Sequence, residues 1–277
     1  MLVIFLALGS AASSAAGIFL TKSLAARFPI WQTIGPLFAI NALLAAPLVA
    51  LGGPWQTGRL AVVEVHLISA LLLIIATGAM FALITRSSAS AVGVAQALSP
   101  AATLLVAPML LVSPTSSAKW LAVLAVVAGG TWSLRKAFTG LSSSLAMVLM
   151  LAIAITGGLL TVLTRLLAEW GVGLTETYIV RAALAAAFFL VVAPPRDLSF
   201  RVIPMLTLRA FLITAGVLLG ILAIQRGDVT LIQSVLATTP LFILLMESIA
   251  YRQAPQPSAL AGAGVVCLGA GALMWLG

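Results

Sequence analysis

The 277-residue chain is 62% hydrophobic and only 7% charged, with a mean hydropathy of +1.23. A typical soluble domain carries about 25% charged residues, so these few charges cannot cover a surface exposed to water. The composition excludes a soluble globular protein and predicts helices that cross a lipid bilayer, for which about 20 apolar residues suffice. The short alternating segments of a membrane β-barrel are absent from the sequence.

The basic residues outnumber the acidic ones, 14 to 6, which gives a net charge of +8. They stand singly at the ends of apolar runs, a placement that suits lipid headgroups rather than nucleic acid. Cys267 and His66 are each the only residue of their type, so we expect neither an internal disulfide nor a metal site built from Cys and His. His66 lies near the start of an apolar run, where we expect an interfacial position.

Charges and Pro/Gly clusters divide the chain into ten apolar segments, each predicted to be a membrane helix. The first segment resembles a signal-peptide core, but no basic residue precedes it and its apolar pattern continues to Leu20, so we expect a retained helix. The links are too short to hold a separate soluble domain, so we expect one multi-pass domain. We expect it in the cytoplasmic (inner) membrane. The predicted segments are 2–24, 30–51, 61–85, 89–112, 118–134, 144–168, 174–193, 203–225, 229–250 and 257–276.

The two halves of the chain carry similar arginine, proline, glycine and polar residues at a fixed offset of 140 residues. Residues 86–100 (RSSASAVGVAQALSP) and 226–240 (RGDVTLIQSVLATTP) both run from arginine to proline. The pattern predicts two five-helix repeats, 1–136 and 137–277, which enter the membrane from opposite sides because five is odd. Inverted repeats of this kind build secondary transporters with a central site. The other matched positions are Asn41 with Arg181, Gly129 with Gly269 and, after a three-residue insertion, Thr21-Lys22 with Thr164-Arg165.

Ten helices in two halves, with proline in the fourth and ninth, resemble the EamA type of the drug/metabolite transporter superfamily. Residues 227–245 (GDVTLIQSVLATTPLFILL) are similar to the ninth helix of that family, most closely in its amino-acid exporter branch. Residues 257–275 (PSALAGAGVVCLGAGALMW) are similar to its glycine-rich tenth helix. The resemblance implies a basket of ten helices around a central cavity. It also implies that the protein transports amino acids, aromatic ones included. Gln253 and Ser113 depart from the glutamates of that family, and Asn41 departs from its second-helix arginine.

Arg181 is the strongest candidate for substrate binding because it lies well inside the seventh segment. A charge at such a depth costs about 2.5–3.5 kcal/mol on insertion scales, so it faces protein or water. It would contact a substrate carboxylate or form an ion pair, with Glu176 or Glu169 as the nearest acids. Further candidates for substrate binding are Asn41, Gln96, Tyr178, Gln233 and Thr239. Lys22 and Arg165 end the first and sixth segments, where they would either reach the headgroups or attract substrate.

The ninth segment carries a polar stripe in which Arg226, Gln233, Pro240 and Glu247 are spaced by seven, which predicts one shared helix face. Pro240 frees the carbonyl of the residue four positions earlier. That carbonyl would bind substrate, or accept a threonine hydroxyl at a kink. Pro100 and Pro240 are the predicted hinges. Glu247 would either couple transport to protons or pair with a neighbouring basic residue such as Arg252.

No nucleotide-binding loop, HExxH motif or serine-hydrolase elbow is present, so ATP hydrolysis, a cofactor and enzymatic activity are not expected. We expect a secondary transporter that lies in the lipid bilayer, works as a monomer and exports a small molecule across the membrane. The alternatives are an importer or exchanger of a vitamin or other amphipathic metabolite and, less favoured, an intramembrane enzyme. The basic residues place both termini outside the cell, whereas the family resemblance places them in the cytoplasm.

Overall fold

The computed structural model describes residues 1–51, 55–86, 89–111, 116–133, 144–196, 198–252 and 257–276, and their regular structure is helical. Short 3-10 turns at Ala46–Leu51 and Phe200–Val202 extend two of the helices. The helices are α1 (Leu2–Ala25), α2 (Ile30–Ala45), α3 (Leu60–Arg86), α4 (Ala89–Ala97), α5 (Ser99–Leu110), α6 (Ser117–Ser133), α7 (Ser144–Glu169), α8 (Leu174–Val192), α9 (Ile203–Arg226), α10 (Val229–Leu236), α11 (Thr239–Tyr251) and α12 (Pro257–Leu276).

Eight helical stretches of the described chain are long and apolar enough to cross a membrane, which makes this a multi-pass membrane protein. Two of these stretches are formed by α4 with α5 and by α10 with α11. The apolar parts of α6 and α12 are shorter, Ser117–Gly129 and Leu260–Gly269. The helix boundaries follow the predicted segments closely, while the count of ten spans stays a prediction. The predicted boundary between the halves, after residue 136, lies outside the described residues.

The fourth and ninth segments are each broken at the same place. Both breaks come just before a proline, which lies in the first turn of α5 or α11. A proline has no N–H to donate and cannot continue the preceding helix. The backbone hydrogen bonds across the two breaks are equivalent at the offset of 140. At the first break Leu98 N donates to Ala95 O (3.3 Å) and Ala101 N donates to Leu98 O (3.2 Å). At the second break Thr238 N donates to Val235 O (3.0 Å) and Leu241 N donates to Thr238 O (2.9 Å).

The carbonyl freed by Pro240 is occupied within the protein. Thr239 Oγ1 donates to the Leu236 carbonyl at 2.6 Å, and Thr238 Oγ1 donates to the Val235 carbonyl at 2.7 Å. Of the two alternatives for this carbonyl, the structure has the threonine-satisfied kink. The predicted single face was wrong, because Arg226 ends α9 and is exposed while the break separates Gln233 from Pro240. The seven-residue spacing assumed one continuous helix, which the proline does not allow.

The main helix contacts are unchanged when the two halves are exchanged. Helix α1 packs on α9 and α3 packs on α7, and each of these pairs becomes the other on exchange. Helix α5 packs on α7 as α11 packs on α1. The pairs α2 with α8 and α6 with α12 map onto themselves. Each half therefore packs its helices mainly against the other half, so the interface between the halves runs through the middle of the molecule.

Two glycines let α6 and α12 approach closely. A Cβ on Gly129 would lie 2.7 Å from the backbone N of Val266, and a Cβ on Gly269 would lie 3.0 Å from the backbone N of Val126. These four positions are related by the offset of 140, so each glycine meets the counterpart of the other's partner. Small residues at membrane helix interfaces permit such backbone contact.

We expect Gly269→Leu to destabilise the protein by about 1–3 kcal/mol, because the added side chain must push α6 and α12 apart. Gly264→Leu is the matched control in the same helix, since a Cβ at Gly264 meets nothing within 4 Å. Thermal unfolding in detergent measures both variants. Equal melting temperatures for the two leucine variants would show that the close approach does not contribute to stability.

Candidate functional site

A cavity of about 330 Å³ lies between the two halves of the chain. Its walls come from α1 to α5 and from α7 to α11 and are mainly apolar, with a limited set of polar groups. Sites for small molecules generally have this composition, in which a few polar groups fix the orientation of the ligand. The polar lining residues are Ser10, Ser14, Asn41, Thr77, Gln96, Ser99, Thr161, Thr164, Tyr178, Arg181, Arg209, Gln233 and Thr239.

Arg181, on α8, lines this cavity and is 7% exposed. Its Nε donates to Ser69 Oγ at 2.9 Å, and its Nη1 donates to Thr164 Oγ1 at 2.7 Å. Neither Glu176 nor Glu169 pairs with it, because Glu176 lies against His66 and Glu169 accepts from Arg165. The alternative of an ion pair with one of these acids was wrong, and the guanidinium is held by neutral hydroxyls.

Arg209, on α9, is a second buried cation on the cavity wall, and it is 2% exposed. Its Nε donates to Thr21 Oγ1, and its guanidinium lies over the ring of Phe81 at 5.2 Å from the ring centroid. Sequence reasoning missed this residue. The signal was an arginine well inside the eighth apolar segment, which is the same signal that identified Arg181.

The two arginines use equivalent acceptors in the two halves. Thr21 and Thr164 are matched positions in the two halves, and each hydroxyl donates a hydrogen bond to the carbonyl four residues earlier, at 2.8 and 2.6 Å. Each threonine oxygen is therefore left to accept from an arginine. Ser69 likewise donates to the His66 carbonyl at 3.0 Å. At the offset of 140, Asn41 and Ser69 stand where the second half has Arg181 and Arg209, so the second half supplies both cations.

Three buried polar atoms on the cavity wall have no hydrogen-bond partner within the described part of the chain. They are Arg181 Nη2, Arg209 Nη1 and Gln96 Oε1. Unpaired polar groups in apolar surroundings are costly, so such atoms mark a place where water or a ligand binds. The site therefore offers two charged donors and one neutral acceptor.

The remaining predicted polar residues of the cavity are engaged in hydrogen bonds within the protein. Gln233 Oε1 accepts from Thr161 at 2.6 Å, which links α10 to α7. Tyr178 and Thr214 share a hydroxyl hydrogen bond of 2.9 Å. Asn41, with its amide turned as its surroundings require, donates to the carbonyls of Leu37 (3.3 Å) and Ala210 (3.2 Å). These bonds fix the shape of the cavity wall.

Several predicted site residues lie away from the described cavity lining. Arg165 binds Glu169 at 3.1 Å and donates to the carbonyls of Ile224 (3.3 Å) and Gln225 (2.9 Å), so it joins α7 to the end of α9. Lys22 occupies the last turn of α1. Glu247 lies in α11 and is half-buried. The two predicted hinges are beside the cavity wall rather than on it, and a Cβ on Gly93 would lie 3.0 Å from the Pro240 side chain.

His66 does not occupy the predicted interfacial position. It is 1% exposed, and its Nε2 lies 3.6 Å from a carboxylate oxygen of Glu176, which is 2% exposed. The backbone N of Gln56 donates to the other carboxylate oxygen at 2.8 Å. The prediction was wrong because His66 packs against Glu176 at the start of α8, where the segment before α3 contacts the same carboxylate. The position of a residue near the start of a helix does not show which other elements pack against its side chain.

The second half of the chain matches a known family. Residues 144–275 match the model of the EamA-like transporter family. The predicted resemblance is confirmed for this stretch, which contains both cavity arginines, while the amino-acid exporter branch stays a prediction. No curated protein matches the chain. One solved structure, described as "Crystal structure of protein", has a TM-score of 0.71 at 19% identity over 99% of this chain and 96% of that one, which indicates a shared fold.

We expect Arg165→Gln to lower stability by about 1.5–3 kcal/mol while leaving ligand binding intact, because it removes charged hydrogen bonds outside the cavity. Arg196→Gln is the control, since Arg196 is exposed in the turn after α8. Thermal unfolding measures the loss, and ligand-induced stabilisation measures binding. A variant with normal stability that loses binding would place Arg165 in the site after all.

Proposed function

We propose that the chain is a secondary transporter that exports small metabolites, amino acids first among them, by alternating access. The observation that carries this proposal is the cavity between the two halves, with two buried arginines whose unpartnered N–H groups line it. A purely structural membrane protein would gain nothing from two uncompensated buried charges. The family match of residues 144–275 supports transport as the activity.

The packing of the helices supports an inverted repeat, an arrangement on which many alternating-access transporters are built. The pairs of packed helices are unchanged on exchange of the halves, and the breaks before Pro100 and Pro240 coincide in their backbone bonding. Two halves that can exchange conformations would turn a cavity open to one side into one open to the other. Export is favoured by the similarity of residues 227–245 to the exporter branch.

We expect Arg181→Gln to reduce flux by at least about tenfold, because it removes a charged donor that would bind the substrate carboxylate. Purified protein in proteoliposomes, loaded with a screen of amino acids and other metabolites, measures counterflow and net flux in both directions. Arg196→Gln is the control for protein yield and insertion. The absence of flux for every compound in the unmodified protein would overturn the transporter proposal. Net flux only into the equivalent of the cytoplasm would favour the importer.

We expect Pro100→Ala and Pro240→Ala to slow transport several-fold with little change in ligand affinity, because continuous helices would resist bending at the breaks. Pro108→Ala is the matched control, since Pro108 lies inside α5 but on an exposed face. Counterflow rates and ligand-induced thermal shifts separate motion from binding. Equal rates in the three variants would show that the breaks are not hinges.

A further inference from the structure

The charge of the cavity indicates what it binds. The chain has six acidic residues, of which Asp197 lies outside the described residues. None of the other five lines the cavity, whereas Arg181 and Arg209 both do. The described wall therefore carries two positive charges and no negative one. In surroundings of low dielectric constant this imbalance is unfavourable until a counter-charge enters.

The hydrogen bonds that hold the arginines do not supply that counter-charge. Arg181 binds hydroxyls of Ser69 and Thr164, and Arg209 binds the hydroxyl of Thr21. These partners orient Arg181 through Nε and Nη1 and Arg209 through Nε, and they leave Nη2 of Arg181 and Nη1 of Arg209 unpartnered. A guanidinium oriented in this way is prepared to bind carboxylate or phosphate oxygens.

We propose that the substrate is a small metabolite with two negative charges, carried on two carboxylates or on one phosphate, and that Arg181 and Arg209 together neutralise it. This inference rests on the proposed transport function and narrows its substrate class. Two charges are needed because a single carboxylate would leave one buried guanidinium without a counter-charge.

A zwitterionic amino acid with one carboxylate fits this site less well. Its ammonium group would enter a positively charged cavity, and among the described lining residues the buried acceptor without a partner is the neutral Gln96 Oε1. An acidic amino acid fits better, because its two carboxylates would bind the two arginines while its ammonium donates to Gln96. The carbon skeleton would lie against the apolar side chains of Phe38 and Phe81, which also line the cavity.

The test compares compounds that share a skeleton and differ only in charge. Glutarate, its monoamide and its diamide form one series, glutamate and glutamine form a second, and glycerol phosphate with glycerol forms the phosphate arm. Competition with flux in proteoliposomes at neutral pH, and ligand-induced thermal shifts, give the relative affinities. We expect glutarate to bind at least about tenfold more tightly than its monoamide, and glutamate at least about tenfold more tightly than glutamine. In the phosphate arm we expect glycerol phosphate to bind at least about tenfold more tightly than glycerol.

Variants assign this preference to the second arginine. In Arg209→Gln we expect the ratio between glutarate and its monoamide to fall to about one, and in Arg209→Lys to recover in part, because lysine keeps the charge. Arg196→Gln should keep the full ratio. If Arg209→Gln fails to fold, the compound series on the unmodified protein still decides the question.

The outcomes separate this inference from the proposed function. Flux of metabolites without preference for double charge would overturn the inference and leave the transporter standing. Preference for the dicarboxylates alone, or for the phosphate alone, would identify the source of the charge. The absence of flux and of binding for all these compounds and for the metabolite screen would overturn both.

Discussion

The burial of two guanidinium groups in a membrane protein is the constraint on which the rest of this structure depends. A charge in the hydrocarbon region must face protein or water, so Arg181 and Arg209 turn inward toward the cavity between the halves. Their guanidinium groups donate to hydroxyls from α1, α3 and α7, which ties those helices to α8 and α9. The same bonds that satisfy the charges thus hold the cavity walls together.

The two halves of the chain match in their main helix contacts, and they differ in the cations that they place on the cavity wall. Thr21 and Thr164 occupy equivalent places and accept from arginines in the same way, yet both arginines come from the second half. Asn41, the counterpart of Arg181, instead bonds to the carbonyls of its own helix and of α9. A symmetric scaffold therefore surrounds an asymmetric distribution of charge. Symmetry of the scaffold suits the proposed exchange of conformations, while asymmetry of charge suits the recognition of one ligand.

The breaks in the fourth and ninth segments illustrate how membrane helices tolerate proline. Each break leaves carbonyls without a helical partner, and in hydrocarbon such groups must be satisfied within the protein. At the second break, Thr238 and Thr239 do this with their own hydroxyls. Gly93 in α4 packs against Pro240, so the two broken segments touch close to their breaks. Bending at one break would therefore displace the segment that contains the other.

The sequence by itself determined the class, the helix boundaries and part of the site. Scarcity of charge and runs of apolar residues suffice for this, because the bilayer demands helices of a given length. Arg181 could be predicted because a charge inside an apolar segment is conspicuous. Arg209 lies inside an apolar segment in the same way, and the sequence therefore contained the signal for it as well. The lining roles of Gln96, Gln233 and Tyr178 agree with their polarity within apolar runs.

Only the tertiary structure decided which polar groups meet. Arg165 resembled Arg181 as a basic residue on an apolar segment, yet its position at a helix end lets it bind carbonyls of a neighbouring helix instead of facing the cavity. His66 and Glu176 are more than a hundred residues apart, and nothing local to either predicts that they pack together. Partners of buried charges come from helix packing, and the packing of apolar helices is set by small residues and shape rather than by any pattern within one segment.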